Sequence, residues 1–473
     1  MPIRLHALGP DLREMARIAA PIVLVSVGIQ AMGVVDALMV GRLGGYAIAS
    51  VALGNFYFFN VSIFGIGLLY AIDPVVAQGV GSGDRVAVAR GVQRGVLLAL
   101  ASAVVIMLAL LPGEWVLGAL DQPADVVGPT AEYTRRRLLG AVPFLLFNVG
   151  RQTLQAMGPV RPIVFAVLAA NVVNALANYA LIYGHFGLPA LGVVGAGWAT
   201  AIANWTMSAL LLWLAWPLLR DTLRPWHRES LAWAPLRRMV GIGAPIGTQW
   251  FFEAFAFGIT TIFMGWMGTA SLAGHEIALN MAALTFMVPL GFSGAAAAVV
   301  GRAIGRGDLP AARRDAAAAI VCAVLFMSGS ATVFLLVPEY LASRYTADAA
   351  TLAVAVSLIP IAGVFQVFDG TQAVTSGVLR GTGDTRIPAI LHMVAFWGVG
   401  VPLGAALGFG TSLRERGLWW GLTAGLAAAA VLQTWRVVVR LRTDVIPVRL
   451  DEGAAGAVVP EGGAMSTGAA SAT

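Results

Sequence analysis

The chain has 473 residues, of which 58% are hydrophobic and only 11% are charged, and its formal net charge is +6. Soluble domains carry about a quarter charged residues, so this composition excludes an ordinary soluble protein and predicts a chain that crosses a membrane many times. The single cysteine, Cys322, excludes a disulfide within the chain and a cysteine-based metal site.

The predicted elements are about twelve apolar runs, each of about 20 residues or more and therefore long enough to span a bilayer as a helix. They centre on residues 15–41, 46–76, 90–112, 127–150, 160–184, 192–219, 238–267, 271–300, 314–337, 350–379, 386–409 and 416–440. We therefore predict an all-α polytopic membrane protein with twelve transmembrane helices.

All 30 basic residues are arginines, and they cluster in short loops between the apolar runs. This placement is typical of topology signals and not of a nucleic-acid-binding surface. With the N-terminus placed in the cytoplasm, 23 arginines fall inside and 7 outside, so both termini are predicted to be cytoplasmic. The cluster Arg135-Arg136-Arg137 falls outside against this rule, and an interfacial anchor that snorkels to the headgroups is the simplest interpretation.

An internal repeat relates the two halves of the chain. A shift of 224 residues places the Met15–Pro21 motif on Met239–Pro245 and the loop Gly81-x-Gly83-Asp84 on Gly305-x-Gly307-Asp308. A shift of 225 residues pairs a later motif around Gly158 with Gly383. Each half holds an even number of spans, so the two six-helix units run in the same sense, with the pseudo-symmetry axis along the membrane normal and a cleft between them.

The repeat also sets the predicted domain boundaries. The N-terminal six-helix lobe covers residues 1–220, a cytoplasmic linker covers 221–234, and the C-terminal lobe covers 235–445. The final residues, 446–473, are predicted to form a disordered cytoplasmic tail, because they are rich in Gly, Ala and Ser and hold no aromatic residue.

Three carboxylates fall well inside the predicted spans: Asp36 in the first, Glu253 in the seventh and Asp369 in the tenth. Asp73 and Glu276 lie nearer the ends of their spans. A buried unpaired anion is costly in hydrocarbon, so such residues usually face a cavity or an ion path. The alternative is a structural carboxylate that is hydrogen-bonded to a neighbouring helix, and it is stronger for Asp73 and Glu276.

Near the level of Asp36 lie Asn174 and Asn178, which are four residues apart and share one helix face, and Thr200 on the sixth span. Carboxylate, amide and hydroxyl oxygens together suit a proton or Na⁺ and do not suit a soft transition metal. The asparagines could equally serve only as hydrogen-bonding contacts between helices.

Aromatic residues accompany the acids. Glu253 follows Trp250 and precedes Phe257, and Phe56 and Tyr57 belong to an aromatic run on the second span. Aromatic faces beside buried carboxylates favour a cleft for lipophilic cations, although any single Phe more often packs against lipid or core.

Enzyme signals are weak in this sequence, so we predict that the protein is not an enzyme and needs no cofactor. His275-Glu276 lacks a second His at metalloprotease spacing, and the Lys of a phosphate-binding loop is missing because the chain contains no Lys.

Taken together, these motifs resemble the multidrug and toxic compound extrusion (MATE) family, in its NorM-type branch. The resemblance covers roughly residues 10–440. It rests on the sequence around Val35-Asp36, the repeated Gly-x-Gly-Asp loops, Phe252-Glu253, Phe368-Asp369-Gly370, and the motif from Gly377 to Thr385. The implied fold is two six-helix bundles around a V-shaped cleft that opens alternately to each side. The implied location is the inner membrane of a bacterium, and the implied state is a monomer.

The resemblance also implies a function: export of drugs and organic cations in exchange for Na⁺ or H⁺. The family's coupling acids fall on Asp36, Glu253 and Asp369, and its N-lobe cation cluster falls on Asn174, Asn178 and Thr200. Some relatives carry Asp at the position of Asn178, so this chain holds one negative charge fewer, which weakens the case for Na⁺ in that lobe. The alternative function is a flippase for lipid-linked oligosaccharides, which would need a basic cleft.

Overall fold

The computed structural model describes residues 9–120 and 122–451, and the described residues are almost entirely helical. Twelve long helical segments follow the predicted order. In the N-lobe they are α1 (Gly9–Val40), α2 (Gly45–Ser82), α3 (Arg85–Leu110), α4 (Ala124–Arg137 and Ala141–Met157), α5 (Arg161–Tyr183) and α6 (Val193–Leu223). In the C-lobe they are α7 (Trp233–Met267), α8 (Thr269–Gly305), α9 (Leu309–Leu336), α10 (Ala349–Gly381), α11 (Arg386–Gly410) and α12 (Glu415–Arg440). The predicted fold class is confirmed.

Eleven of these segments in the described part of the chain are long and apolar enough to span a membrane. The remaining segment is α4, which consists of two helices joined by the 3₁₀ turn Leu138–Gly140. It corresponds to the predicted fourth span, but it carries the arginine cluster at the end of its first part. Many of its polar residues, such as Thr130, Thr134, Asn148 and Gln152, are buried, so length and packing identify it where hydropathy does not.

The repeated Gly-x-Gly-Asp loops are helix-capping devices. Gly83 and Gly307 end α2 and α8 with φ values of 75° and 74°, a left-handed conformation that favours glycine. The next residue then begins the following helix: Asp84 accepts a hydrogen bond from the N–H of Ala87 at 2.9 Å, and Asp308 accepts one from Ala311 at 2.9 Å. The motif therefore encodes two equivalent helix–loop–helix turns.

The two lobes contact each other at the face that carries these loops, which we call the joined face. Glycines allow the backbones to approach closely there. A Cβ on Gly81 would lie 2.2 Å from the carbonyl oxygen of Arg302, and one on Gly305 would lie 2.1 Å from that of Gln78. These two contacts are equivalent under the 224-residue repeat, so the interface has the predicted pseudo-twofold symmetry.

Hydrogen bonds between the lobes follow the same symmetry. The side chain of Gln78 donates to the carbonyl of Gly381 at 2.9 Å, and that of Arg302 donates to the carbonyl of Ala156 at 2.8 Å. One strong contact has no symmetric counterpart: the guanidinium of Arg380 in α10 donates to the carboxylate of Asp73 in α2 at 2.8 Å, with both side chains buried. The repeat places Ala297 and Gln155 at the equivalent positions, so only one side of the axis carries the ion pair.

The chain between the lobes and the chain after α12 both lie on the joined face. Helix α6 ends at Leu223 and α7 begins at Trp233, close to the predicted linker. The structure differs from the predicted disordered tail at its start, because residues 446–451 make defined contacts with the N-lobe. For example, the N–H of Val448 donates to Gln78 at 2.6 Å. Residues 452–473 lie outside the described residues, and disorder there stays a prediction.

Candidate functional site

The structure brings together the four polar residues predicted to form a cluster in the N-lobe. The amide of Asn178 donates to one carboxylate oxygen of Asp36 at 2.5 Å, and the hydroxyl of Thr200 lies 3.0 Å from the other oxygen. Asn178 also donates to the side-chain oxygen of Asn174 at 3.2 Å. Asp36 is 3% exposed, and its three partners are also buried. The carboxylate is therefore held by two neutral donors and has no cation within ion-pair distance among the described residues.

Three helix ends build this cluster. Asp36 lies in the last turn but one of α1, about 6 Å along the axis from Val40. Asn178 lies near the end of α5, and Thr200 lies two turns into α6. All three positions are far from the joined face. Two atoms in the cluster are buried without a hydrogen-bond partner, the side-chain oxygen of Asn178 and the side-chain nitrogen of Asn174. The oxygen is a free ligand that a cation or water could use.

The sequence did not identify a further part of this network, which comes from α4. Tyr133 is fully buried; its hydroxyl donates to the side-chain oxygen of Asn55 at 2.9 Å and also reaches Thr200. Arg137 donates to both Asn55 and Tyr133, and its guanidinium lies 4.1 Å from the centre of the Phe58 ring. It is close enough to act electrostatically on Asp36. The interpretation of all three arginines as interfacial anchors is wrong for Arg137, which turns into the N-lobe.

The other two arginines of the cluster have a different environment. Arg135 and Arg136 both form ion pairs with Glu132, one turn earlier on the same helix. Arg135 is exposed, and Arg136 also lies 5.9 Å from the centre of the Trp198 ring. The helical period explains the division, because residues two apart on a helix point in different directions. In the sequence, the inward direction of Arg137 is indicated only by Tyr133, which lies four residues earlier on the same helix face.

In the C-lobe the structure places Glu253 and Asp369 on the wall of one cavity of about 160 Å³. The two carboxylates are close enough to interact with each other electrostatically. The rest of the wall is apolar and partly aromatic: Phe257, Leu279, Ala282, Ala283, Phe286 and Phe365. Glu253 lies near the midpoint of α7, and Asp369 lies near the midpoint of α10. This cavity therefore lies closer to the middle of the helical bundle than the N-lobe cluster, which lies near helix ends.

A histidine that the sequence did not single out completes the C-lobe site. The Nε2 atom of His392 lies 3.4 Å from a carboxylate oxygen of Glu253, and its Nδ1 atom lies 3.1 Å from the side-chain nitrogen of Gln372. The imidazole is buried and stacks on Phe396. It lies two residues before a stretch of π-helix, Val394–Gly400, a rare local structure that is frequent at functional sites. A lone histidine inside an apolar run was the only sequence signal.

The four aromatic residues predicted to line a cleft do not form one group. Phe257 lines the cavity of the C-lobe acids, and Trp250 makes an edge-to-face contact with Tyr70 across the lobe boundary, with ring centres 4.6 Å apart. Phe56 is 64% exposed on α2. Tyr57 donates its hydroxyl to the carbonyl of Ala109 in α3 at 2.7 Å, which holds it against its own lobe.

The remaining intramembrane acids have simpler surroundings. Asp73 is the structural carboxylate that pairs with Arg380 at the joined face. Glu276 is exposed on α8 and has no ion-pair partner among the described residues. Within residues 9–120 and 122–451, no three His, Cys, Asp or Glu side chains converge as transition-metal ligands do. The two sites therefore offer mainly carboxylate and amide oxygens, which suit protons or hard monovalent cations.

Comparison with known proteins agrees with this architecture. The MatE family model matches residues 21–180 and 245–406, one segment in each lobe. Multidrug resistance protein NorM of Burkholderia vietnamiensis is 38% identical over 437 residues, which cover 89% of this chain and 93% of that protein. Multidrug resistance protein PmpM of Pseudomonas aeruginosa is 35% identical over 433 residues, which cover 89% of this chain and 90% of that protein.

The solved structures support the same assignment at the level of the fold. The crystal structure of the eukaryotic MATE transporter AtDTX14 superimposes with a TM-score of 0.84, covers 91% of this chain and 96% of its own, and is 19% identical in sequence. From the two-lobe fold, the matched family model and these relatives, we conclude that the chain belongs to the MatE family.

Proposed function

We propose that the protein is a secondary active transporter that exports hydrophobic, mostly cationic organic compounds in exchange for Na⁺ or H⁺. The observation that carries this proposal is the C-lobe cavity, where two carboxylates share an otherwise apolar and aromatic wall. Two like charges in a low-dielectric cavity repel each other, and a cation between them removes the repulsion. An organic cation and a coupling ion would therefore compete for the same pair.

The proposed orientation places the joined face in the cytoplasm and the termini with it. Most arginines lie at this face, as the positive-inside rule requires. The described conformation is then closed to the cytoplasm, and the transport cycle must separate the lobes there. We propose that the protein acts as a monomer in the inner membrane of a bacterium, with lipid and small molecules as its partners.

Coupling follows from differential affinity. A cation that binds Asp36 or the Glu253–Asp369 pair more tightly in one conformation shifts the equilibrium towards that conformation. Drug loaded from the cytoplasm occupies the C-lobe acids, and the ion that enters from outside displaces it. The alternative of a pyrophosphate-linked substrate fits this cavity poorly, because its carboxylates would repel a pyrophosphate.

The first experiment measures dye efflux and drug resistance for Asp36→Asn, Glu253→Gln and Asp369→Asn at matched expression. Each neutral variant keeps the shape of the side chain, so each is expected to lower efflux by at least tenfold. Glu276→Gln is the matched control, because it makes the same chemical change on an exposed acid of the same lobe. Wild-type efflux in all three variants would refute the coupling proposal.

A second experiment identifies the ion. Purified protein in liposomes is given a Na⁺ gradient at fixed pH, and then a pH gradient without Na⁺. Efflux that responds to one gradient alone identifies the coupling ion, and efflux that responds to neither gradient excludes exchange for Na⁺ or H⁺.

A further inference from the structure

The segment after the last helix crosses the joined face and contacts both lobes. We call residues 441–451 the strap. At its start, the carbonyl of Leu441 accepts a hydrogen bond from Arg313 in α9 at 2.7 Å, so this end is bound to the C-lobe. At its other end, Leu450 is buried in an apolar cluster formed mainly by N-lobe helices together with the start of α7, and Val448 packs against the same cluster. The strap therefore spans the boundary between the lobes.

The end of the strap closes a pocket for a carboxylate. Arg94 in α3 is 1% exposed, and its guanidinium donates to the two carboxylate oxygens of Asp451 at 2.6 and 3.4 Å. Arg90, one turn earlier, lies 3.6 Å from the same carboxylate. Of the described acids, Asp451 alone lies within ion-pair distance of Arg94. A buried guanidinium needs such a partner, and here the partner comes from the far end of the chain.

The linker between the lobes forms the other wall of this pocket. Arg94 also donates to the carbonyl of Glu229 at 3.0 Å, and Gln93 beside it donates to the carbonyls of Thr222 and Pro225 at 3.1 and 3.0 Å. The carbonyl of Leu450 accepts from Arg238 at the start of α7 at 2.8 Å. The strap is thus tied to α3, to the linker and to the first C-lobe helix.

The strap also contacts the interface itself. The N–H of Val448 donates to the side-chain oxygen of Gln78, while the side-chain nitrogen of the same Gln78 donates across the lobe boundary to Gly381. Gly383 faces the side chain of Val448 so closely that a Cβ there would lie 2.4 Å from it. One glutamine therefore connects the strap to one of the symmetric hydrogen bonds that hold the lobes together.

From these contacts we propose that the Arg90–Arg94 pocket is a binding site for the carboxylate of Asp451, and that the strap bound there holds the lobes together at the joined face. The pocket recognises the chain's own C-terminal segment. When the lobes separate, the strap must leave the pocket or stretch, because it emerges from α12 of the C-lobe while Asp451 at its end is bound by Arg94 of the N-lobe. The strap therefore adds to the free energy of opening.

The test measures opening at the joined face directly, without substrate or coupling ion. Ser82→Cys and Arg306→Cys in a Cys322→Ser background place spin labels at two exposed, repeat-equivalent positions on either side of the interface. Pulsed electron–electron double resonance measures the distribution of distances between the two labels, which gives the ratio of open to closed populations. The chain ending at residue 443 lacks most of the strap, and the chain ending at residue 451 keeps it and serves as the control.

Loss of the strap is expected to raise the open-to-closed ratio about tenfold, because the closed state loses a charge-assisted hydrogen bond and the contacts beside it. Asp451→Asn should raise it in the same direction without shortening the chain. Asp444→Asn is the matched control, since Asp444 is an exposed acid of the same segment. Equal ratios in wild type, the 443-residue chain and Asp451→Asn would overturn the proposal, and so would an equal rise in Asp444→Asn. Because no transport is measured, failure here is distinct from failure of the proposed antiport.

Discussion

The two lobes share a scaffold but not a chemistry. The repeat preserves the residues that cap helices and let backbones meet, such as Asp84 and Asp308 or Gly81 and Gly305. It does not preserve the polar sites. The residue equivalent to Asp36 is Thr260, and the residue equivalent to Glu253 is Ile29. The duplicated part of this chain therefore forms the frame, and the acids are specific to each lobe.

The acids of the two lobes also differ in their surroundings. Asp36 is held by Asn178 and Thr200 near the face opposite the joined one, with Arg137 in electrostatic range. Glu253 and Asp369 lie at mid-depth with a cavity between them and His392 beside them. The N-lobe site is thus a buried hydrogen-bonded network, and the C-lobe site borders a cavity that can admit a ligand.

The largest effect is expected when the N-lobe acid is moved to the equivalent position of the C-lobe, which tests whether the two lobes differ chemically. In the double variant Asp36→Thr/Thr260→Asp, the acid moves to the repeat-equivalent position. Thr260 donates only to the carbonyl of Ala256 in its own helix, so the new acid lacks the amide and hydroxyl donors of Asp36. Efflux by the double variant is expected to fall to the background of cells without the transporter.

The control for the transposition is the single variant Thr260→Asp, which keeps Asp36 and reports whether the C-lobe tolerates the new acid. Dye efflux at matched membrane expression is the measurement. Efflux above one-tenth of wild type in the double variant would contradict the predicted chemical inequality of the lobes.

The second prediction concerns the contact that breaks the symmetry of the joined face. Arg380→Gln leaves the buried carboxylate of Asp73 without its cation, which is expected to cost about 3–5 kcal/mol. Asp73→Asn/Arg380→Gln should recover much of that loss, since no buried charge remains unpaired. The melting temperature in detergent reports the effect, and Gln155→Ala, on the symmetric side, should change it much less. A double variant as unstable as Arg380→Gln would contradict the assignment of Asp73 and Arg380 as a pair.

Much of the fold was predictable because its causes are local. The length of the apolar runs predicts the spans, and the glycines and capping Asp residues predict the turns and the repeat. The family resemblance adds the two-lobe arrangement and the N-lobe cluster of Asp36, Asn174, Asn178 and Thr200. Sequence reasoning failed where a partner comes from a distant helix. Nothing near Asp73 indicates Arg380, and nothing near Arg94 indicates Asp451. Tyr133 and His392 were missed, and Arg137 was misassigned as an interfacial anchor, because the contacts of each are made with residues on other helices.

The third prediction tests whether the joined face is symmetric in energy as well as in geometry. Gly81→Ala and Gly305→Ala each bring a methyl group onto the opposing backbone, at 2.2 and 2.1 Å. Overpacking of this kind costs about 1–3 kcal/mol. The ratio of closed to open populations should therefore fall about tenfold or more in both variants. Gly329→Ala, where a Cβ would meet nothing within 4 Å, is the control. The Ser82–Arg306 spin-label pair measures the change, and effects that differ by more than about fivefold would show that the two halves of the interface are not equivalent.

The smallest effects are expected for substitutions of Arg135 and Arg137, which should differ from each other although both belong to one cluster. Arg135→Gln removes an exposed ion pair with Glu132, and such pairs contribute about 0–1 kcal/mol; efflux should stay within twofold of wild type. Arg137→Gln removes a positive charge that acts on Asp36, so a coupling cation should bind the N-lobe more readily, and the cation concentration for half-maximal efflux should fall about fivefold. Both variants make the same chemical change two residues apart. If their half-maximal concentrations were equal, Arg137 would be only a structural contact of Asn55 and Tyr133, and the electrostatic difference between the lobes would rest on the acids alone.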